Sequence, residues 1–248
     1  MPLLSAIDIV VRFGGLRALS DAYVNCEPGQ VTGLIGPNGA GKTTLFNAIT
    51  GLRPPNSGKV VFDGVDITNK TPYRRARLGI GRTFQKLEAF TSLSARNNVL
   101  VAAEARQAWD KSKFKPQEVT DQIMEAVGIG HIADQMVGTL PTGTARLVEL
   151  ARSLATNPKA LLLDEPSSGL NAQETEAMAG LLRRLVGDGL AVLLVEHDMA
   201  FVMSTCEFIH VLEFGQVIAT GTPSEIQRDK AVQAAYLGAV PEVEGVLS

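Results

Sequence analysis

Nine consecutive residues, GPNGAGKTT, carry the densest chemistry in the chain. They match the spacing G-x-x-x-x-G-K-[ST] in full. Glycine lets a backbone wrap tightly, so that successive N–H groups point inward at an anion. Gly36, Pro37, Asn38, Gly39, Ala40 and Gly41 would form that wrap, with Thr44 at its far end. Lys42 would reach the β- and γ-phosphates of a nucleotide, and the Thr43 hydroxyl is a hard oxygen ligand for Mg²⁺. The apolar stretch VTGLIG precedes the loop and the helical TLFNAITGL follows it. This strand–loop–helix order also adds the positive end of a helix to the phosphate site. A site for a nucleoside triphosphate with Mg²⁺ is the reading.

A second element must hold the metal and the water. ALLLDEP is an apolar strand ending in two acids. Asp164, at the strand's end, would hold Mg²⁺ through water, and Glu165 could polarise an attacking water as a general base. Taken alone, the same stretch also suits a buried strand with a polar edge. LLVEHD repeats the design, with His197 placed to touch the γ-phosphate and respond to its loss. Gln85, which ends GIGRTFQ, could sense Mg²⁺ and the attacking water. His131 and His210 read as structural or surface residues.

These groups must be positioned by a sheet. AIDIVVRF and DAYVNC read as strands, and KVVFDGVDI as a hairpin turning at Asp63-Gly64. From Ser92 to about Gly128 the apolar spacing is helical, which predicts an inserted helical region. Helices over 142–156 and 171–186 then alternate with the strands ALLLDE and LAVLLVE. Short strands between helices imply a parallel sheet with crossover connections.

Composition bounds the alternatives. The chain has 248 residues, enough for one large domain or one with an insertion. Its formal charge of -3 and pI near 5.7 lack the basic excess of a nucleic-acid binder, so no nucleic-acid partner is expected. The best basic patch is YRRAR, Tyr73 to Arg77, which also suits a solvated helix face. Cys26 and Cys206 have no metal-ligand spacing and suit a reducing compartment. The start, MPLLSAIDIVVRF, does not resemble a signal peptide, and no apolar run approaches the roughly 20 residues of a membrane span. A soluble chain is expected, with any membrane role reached through a partner.

The phosphate loop, Gln85, the stretch LPTGTARLVELARSL, LLLDEP, SSGLN and VEHD together resemble an ATP-binding-cassette ATPase over nearly the whole chain. FGGLRAL, RLGIGRTFQ and GTPSEI…AYLG are similar to the ATPase subunits of branched-chain amino-acid importers, with urea importers and the lipopolysaccharide-export ATPase close by. The resemblance implies an α/β fold with a P-loop NTPase (RecA-like) core, an N-terminal antiparallel β subdomain and an inserted helical subdomain. Residues 1–238 would form one ATPase domain, with 1–85 and 155–238 as core, 86–154 as the helical subdomain and 239–248 as a tail. It implies ATP and Mg²⁺ as ligands, and two facing ATPase subunits with nucleotides between them. Phe13 would stack on adenine, although a core aromatic on a first strand fits its position as well. Ser167 to Asn171 would lie along the partner subunit. Membrane permease subunits and an extracytoplasmic binding protein are the implied partners, with the chain held at the inner face of the membrane by its permease.

One departure from the family pattern stands out. The usual L-S-G-G-Q tip, presented to the other subunit's nucleotide, is here Leu140, Pro141, Thr142, Gly143 and Thr144. Pro141 brings neither a hydroxyl nor an N–H, although proline suits a first helical turn. Thr142 or Thr144 could supply the hydroxyl. A lost bond to a charged oxygen is worth roughly 1.5–3 kcal/mol. An altered tip serves only the partner's nucleotide, so a heterodimer with one strong and one weaker site is expected, with a homodimer as the alternative. The rival functions are a soluble cassette ATPase of translation or repair, a lipopolysaccharide-type exporter, and a P-loop kinase. Glu165 beside Asp164, with His197, favours water as the acceptor over a kinase substrate.

Overall fold

The computed structural model of the chain describes residues 1–84 and 87–237. Gln85 and the expected tail 239–248 lie outside the described residues. β1 (Leu4–Phe13) and β2 (Leu16–Cys26) form a hairpin, and β3 (Val31–Ile35) leads into α1 (Lys42–Thr50). β4 (Ser57–Phe62) and β5 (Val65–Asp66) form a second hairpin, and α2 (Pro72–Leu78) feeds the short β6 (Ile80–Arg82). α3 (Ala95–Gln107), α4 (Pro116–Val127) and α5 (Thr142–Ala155) then follow one another. The remainder alternates: β7 (Ala160–Asp164), α6 (Ala172–Gly187), β8 (Ala191–Val195), α7 (Met199–Thr205), β9 (Phe208–Glu213) and β10 (Gln216–Gly221). α8 (Pro223–Arg228) and α9 (Lys230–Leu237) close the described chain.

Among the described residues the strands build two sheets. One is antiparallel, in the order β2-β1-β4-β5, and the other runs β10-β9-β3-β8-β7-β6. In the second sheet β9, β3, β8, β7 and β6 are parallel, and β10 is an antiparallel edge. The expected hairpin turns where the sequence puts it: Asp63 and Gly64 both take positive φ, 51° and 74°, as a two-residue mirror-image turn requires.

β3, β7 and β8 are buried at every position. Successive side chains of a strand face opposite ways, so a strand covered on both faces reads as an unbroken apolar run. Leu161 and Leu163 enter one core with Val148, Leu150 and Leu182 of the helices, while Leu162 enters the other. That second core is roofed by the antiparallel sheet, with Leu45, Phe46 and Ile49 of α1 between the two sheets. The helical region matches the expected periodicity, with α3 packed on both α4 and α5.

One expectation is corrected. The basic stretch Tyr73 to Arg77 is not a uniformly solvated face, because Arg75 is 1% exposed. Its guanidinium donates to the carbonyls of Ala48, Ile49, Thr68 and Lys70. The first two belong to the last turn of α1, whose negative end suits a cation. Burial draws the Arg75 guanidinium down to about 10, so it stays charged at neutral pH. Of the two readings of His210, structural or surface, the structural one holds: on β9 it is 1% exposed and edge-on to the Tyr23 and Phe208 rings.

His210 predicts a pH effect. Burial lowers its pKa from 6.5 to about 4, so the folded chain keeps it neutral where the unfolded chain takes a proton. Above pH 6.5 the residue contributes nothing to pH dependence; between about 6.5 and 4 stability is lost as pH falls, by on the order of 3 kcal/mol. Urea unfolding at a series of pH values should show this slope, and His210→Gln should flatten it. An unchanged slope in the variant would sink the assignment.

Candidate functional site

The phosphate loop is built by exclusion of side chains. Gly36 has φ 148°, and a Cβ there would lie 1.9 Å from the Leu212 carbonyl oxygen of β9. At Gly41, φ 108°, a Cβ would meet Leu19 at 2.8 Å and the Ala18 carbonyl at 2.9 Å. Only glycine fits either place. Gly41 is also the N-cap of α1, so no cap side chain competes for the first-turn N–H groups. These donors and the positive helix end face an anion site.

A cavity of about 260 Å³ opens there, lined by residues 38–44 with Ala18, Glu165, Val195 and His197. The Lys42 ammonium, 7% exposed, donates to the carbonyls of Gly36 at 2.6 Å and Pro37 at 3.0 Å. Burial lowers its pKa, opposed by the charges of Glu165 and Asp164. The loop's own carbonyls thus hold the cation that a phosphate would take.

β7 and β8 bring the acids and the histidine to the same edge. Asp164 is 2% exposed, and burial raises its carboxyl above the usual range, opposed chiefly by Arg82. Glu165 takes φ 51°, an uncommon conformation for a side chain of its size. Its N–H donates to the Val195 carbonyl at 2.9 Å, which sets that turn. Glu165 Oε1 and His197 Nε2 are 2.7 Å apart. Behind them, the buried Glu196 accepts from the Ser167 N–H at 2.7 Å and the His197 N–H at 3.0 Å. One carboxylate therefore fixes the turn after β7 and the turn after β8 together. Sequence reading passed over Glu196, whose only signal was its place inside VEHD. It also passed over Arg82, which sits inside GIGRTFQ and reaches Asp164 at 3.4 Å.

The expected residues fall into two groups, and Asp164, buried and facing Arg82, does not itself line the cavity. Asn38 to Thr44, Glu165 and His197 share the cavity, with Gly36 and Pro37 holding Lys42 beneath it. Phe13 ends β1, 47% exposed, and does not line that cavity. A core aromatic is therefore the wrong reading of it; the Arg53 guanidinium covers its ring at 4.5 Å.

Pro141, Thr142, Gly143 and Thr144 do not line the cavity either. Pro141 is the N-cap of α5 and Thr142 starts the helix, with no side-chain cap and no acid in its first turn. A Cβ on Gly143 would lie 2.6 Å from the Leu170 side chain, so the tip rests against residues 169–170 of its own chain. Among the described residues no group of three or more His, Cys, Asp or Glu could hold a metal. Thr43 and Asp164 instead offer the few hard oxygens that suit Mg²⁺ bound mainly by phosphates and water.

Comparison with known proteins fits this geometry. The sequence model of a family described as "ABC transporter" matches residues 19–168, and one described as "Branched-chain amino acid ATP-binding cassette transporter" matches residues 216–241. The high-affinity branched-chain amino acid transport ATP-binding protein BraF of Pseudomonas aeruginosa is 38% identical, over 96% of this chain and 98% of its own. The lipopolysaccharide export system ATP-binding protein LptB of Haemophilus influenzae is 35% identical over the same shares. The crystal structure of MJ1267, an ATP-binding cassette of an ABC transporter in its ADP conformation, superposes with a TM-score of 0.86 at 32% identity, covering 96% of this chain and 99% of that one.

Glu196 should matter more than its inconspicuous place inside VEHD suggests. Glu196→Ala leaves two backbone donors without their charged acceptor, which should cost about 3 kcal/mol in urea unfolding. ATP turnover should fall with it, because both turns loosen. Glu196→Gln, with one acceptor oxygen left, should lie between. A variant with unchanged stability and turnover would remove Glu196 from the site.

Proposed function

The chain belongs to the ATP-binding subunits of ABC transporters, and from that premise we propose that it hydrolyses Mg-ATP to power import of branched-chain or related amino acids through a membrane permease. The match of residues 216–241 to the branched-chain family carries the substrate reading. LptB-type export is the second reading, favoured by the 35% identity to that protein.

The residue roles follow from the site. The loop from Gly36 to Thr44 and the start of α1 bind the phosphates, and Lys42 leaves the Gly36 and Pro37 carbonyls for them. Phe13, already exposed, supplies a ring for adenine. Thr43 and Asp164 would hold Mg²⁺, with Gln85 as a further contact, and the bound ion would supply positive charge against the phosphates. Glu165 orients and deprotonates the attacking water, and His197, 2.7 Å from it, holds that carboxylate until the γ-phosphate arrives. The α5 tip, Pro141 to Thr144, serves the nucleotide of a second ATPase subunit, whether of the same or a different chain.

The same reading takes residues 86–154 as the helical insertion between core segments 1–85 and 155–238. A groove of about 410 Å³ lies between α2, β6 and α5, with Leu52, Tyr73, Glu149 and Arg152 among its lining. Leu52 and Tyr73 are 52% and 57% exposed. This groove is the proposed seat for a cytoplasmic segment of the permease. No helix among the described residues is long and apolar enough to cross a membrane; the proposed attachment to the inner face is through the permease. An extracytoplasmic binding protein completes the system.

Two measurements test this. Glu165→Gln removes the base but keeps the shape, so ATP should stay bound while turnover nearly stops. On size-exclusion chromatography Mg-ATP should then shift the variant to a dimer if its own tip suffices; a monomer with ATP bound points to a second subunit. Turnover at the normal rate would refute the base assignment. For the cargo, cells lacking the chain should lose uptake of labelled leucine, isoleucine and valine. Unimpaired uptake with lipopolysaccharide retained at the inner membrane would favour export.

A further inference from the structure

Arg82 ends β6 with its side chain 9% exposed, and no role above requires a cation there. Its Nη1 donates to Asn47 Oδ1 at 2.7 Å and to Thr50 Oγ1 at 3.1 Å, both on α1. Nη2 reaches Asp164 Oδ2 at 3.4 Å on β7, and Nε donates to the Thr83 carbonyl at 3.3 Å. The rings of Phe46 and Phe84 lie 5.6 Å and 4.8 Å from its central carbon. A guanidinium is a rigid planar fork, so contacts in several directions fix the elements that make them. Here those elements are α1, which carries Thr43 in its first turn, and β7, which ends in Asp164.

We propose that Arg82 is a positioning residue for the divalent cation: anchored on α1, it leans on one oxygen of Asp164 at the end of β7 and so orients that carboxylate while leaving it open to the metal. The inference rests on the reading of Thr43 and Asp164 as metal ligands. Outer partners of metal ligands set ligand orientation, and their loss commonly costs tenfold or more in affinity.

An opposite effect must be weighed. A cation beside Asp164 also repels Mg²⁺ and could compete for the same carboxylate. The distances decide between the two. Charge-assisted N–H···O bonds usually measure about 2.7–2.9 Å. The contact to Asp164 is longer, at 3.4 Å, whereas the bond to Asn47 is 2.7 Å. Arg82 is therefore anchored on α1 and only leans on Asp164, so a metal can take that carboxylate without displacing the guanidinium. Arg82 also lines the groove between α2 and α5, so a segment seated there would touch the residue that touches Asp164.

The test compares ATP binding by calorimetry, with Mg²⁺ and with EDTA, in Glu165→Gln and in the double variants Glu165→Gln/Arg82→Gln and Glu165→Gln/Arg82→Lys. In the parent, Mg²⁺ should tighten binding. In Arg82→Gln that tightening should shrink about tenfold, while affinity in EDTA stays the same, and Arg82→Lys should recover part of it. Equal weakening with and without Mg²⁺ would make Arg82 a structural tie only, and tighter Mg-ATP binding would make it a competitor; either overturns the proposal. If Mg²⁺ gives no tightening in the parent, the metal reading of Thr43 and Asp164 fails first. Melting curves are taken beforehand, and Arg82→Lys carries the comparison if Arg82→Gln does not fold.

Discussion

Everything at the site depends on four strands that end on one edge. β3, β8, β7 and β6 pair in parallel, with Leu34 beside Val195, Val195 beside Asp164, and Leu162 beside Arg82. Parallel neighbours lie about 4.8 Å apart, so residues that leave successive strands start in one row. The phosphate loop leaves β3, His197 follows β8, Glu165 follows β7, and Arg82 ends β6. The central place of β8 matters most. It puts His197 next to both the loop and Glu165, and it supplies the Val195 carbonyl that turns the Glu165 backbone.

Such an edge is useful only if it is stiff, and the burial of the strands on both faces supplies that stiffness. Packed cores respond to strain by jumping between arrangements rather than bending. One local strain sits on this base, the positive φ of Glu165, beside a close approach of backbone to Leu212 that glycine makes without strain at Gly36. The Glu165 conformation holds only because the surrounding structure over-determines it. Glu196 and Arg82 do comparable work from behind the edge, by fixing turns and elements without entering the cavity.

What was legible in the sequence divides along this line. GPNGAGKTT, ALLLDEP and LLVEHD are contiguous, so each carries its strand and its chemistry in one reading. The helices α5 and α6 were visible from apolar spacing within a residue or two. Arg75 was not, because its partners are carbonyls of a helix more than twenty positions earlier, and no local pattern announces a buried capping cation. Glu196 and Arg82 escaped for the same reason: their side chains act across strands, on backbone donors or on another helix. His210 read as structural or surface, and only the packing of Tyr23 and Phe208 decides between them. Phe13 was left with two readings, and exposure settles that it is not core.

The altered tip is best judged by what a helix end offers without side chains. At Pro141 the family serine is missing, and with it one hydroxyl and one N–H. The N–H groups of Thr142, Gly143 and Thr144 belong to the helix's first turn, where they have no intrahelical acceptor. The positive end of the helix depends on backbone alone, so proline, which lacks one of its N–H groups, keeps most of it. Pro141 also fixes its own φ, so the turn into α5 loses less freedom on ordering. Gly143 rests against Leu170 and the Gly169 carbonyl, which buttresses the tip from within its own chain. The exchange therefore removes directional bonds worth roughly 1.5–3 kcal/mol each when they meet a charged oxygen, and leaves the field and the shape. A tip of that kind keeps a field that attracts a phosphate but has fewer directional bonds to select its γ-position, and the hydroxyls of Thr142 and Thr144, one and three residues further on, are the groups on which any compensation turns.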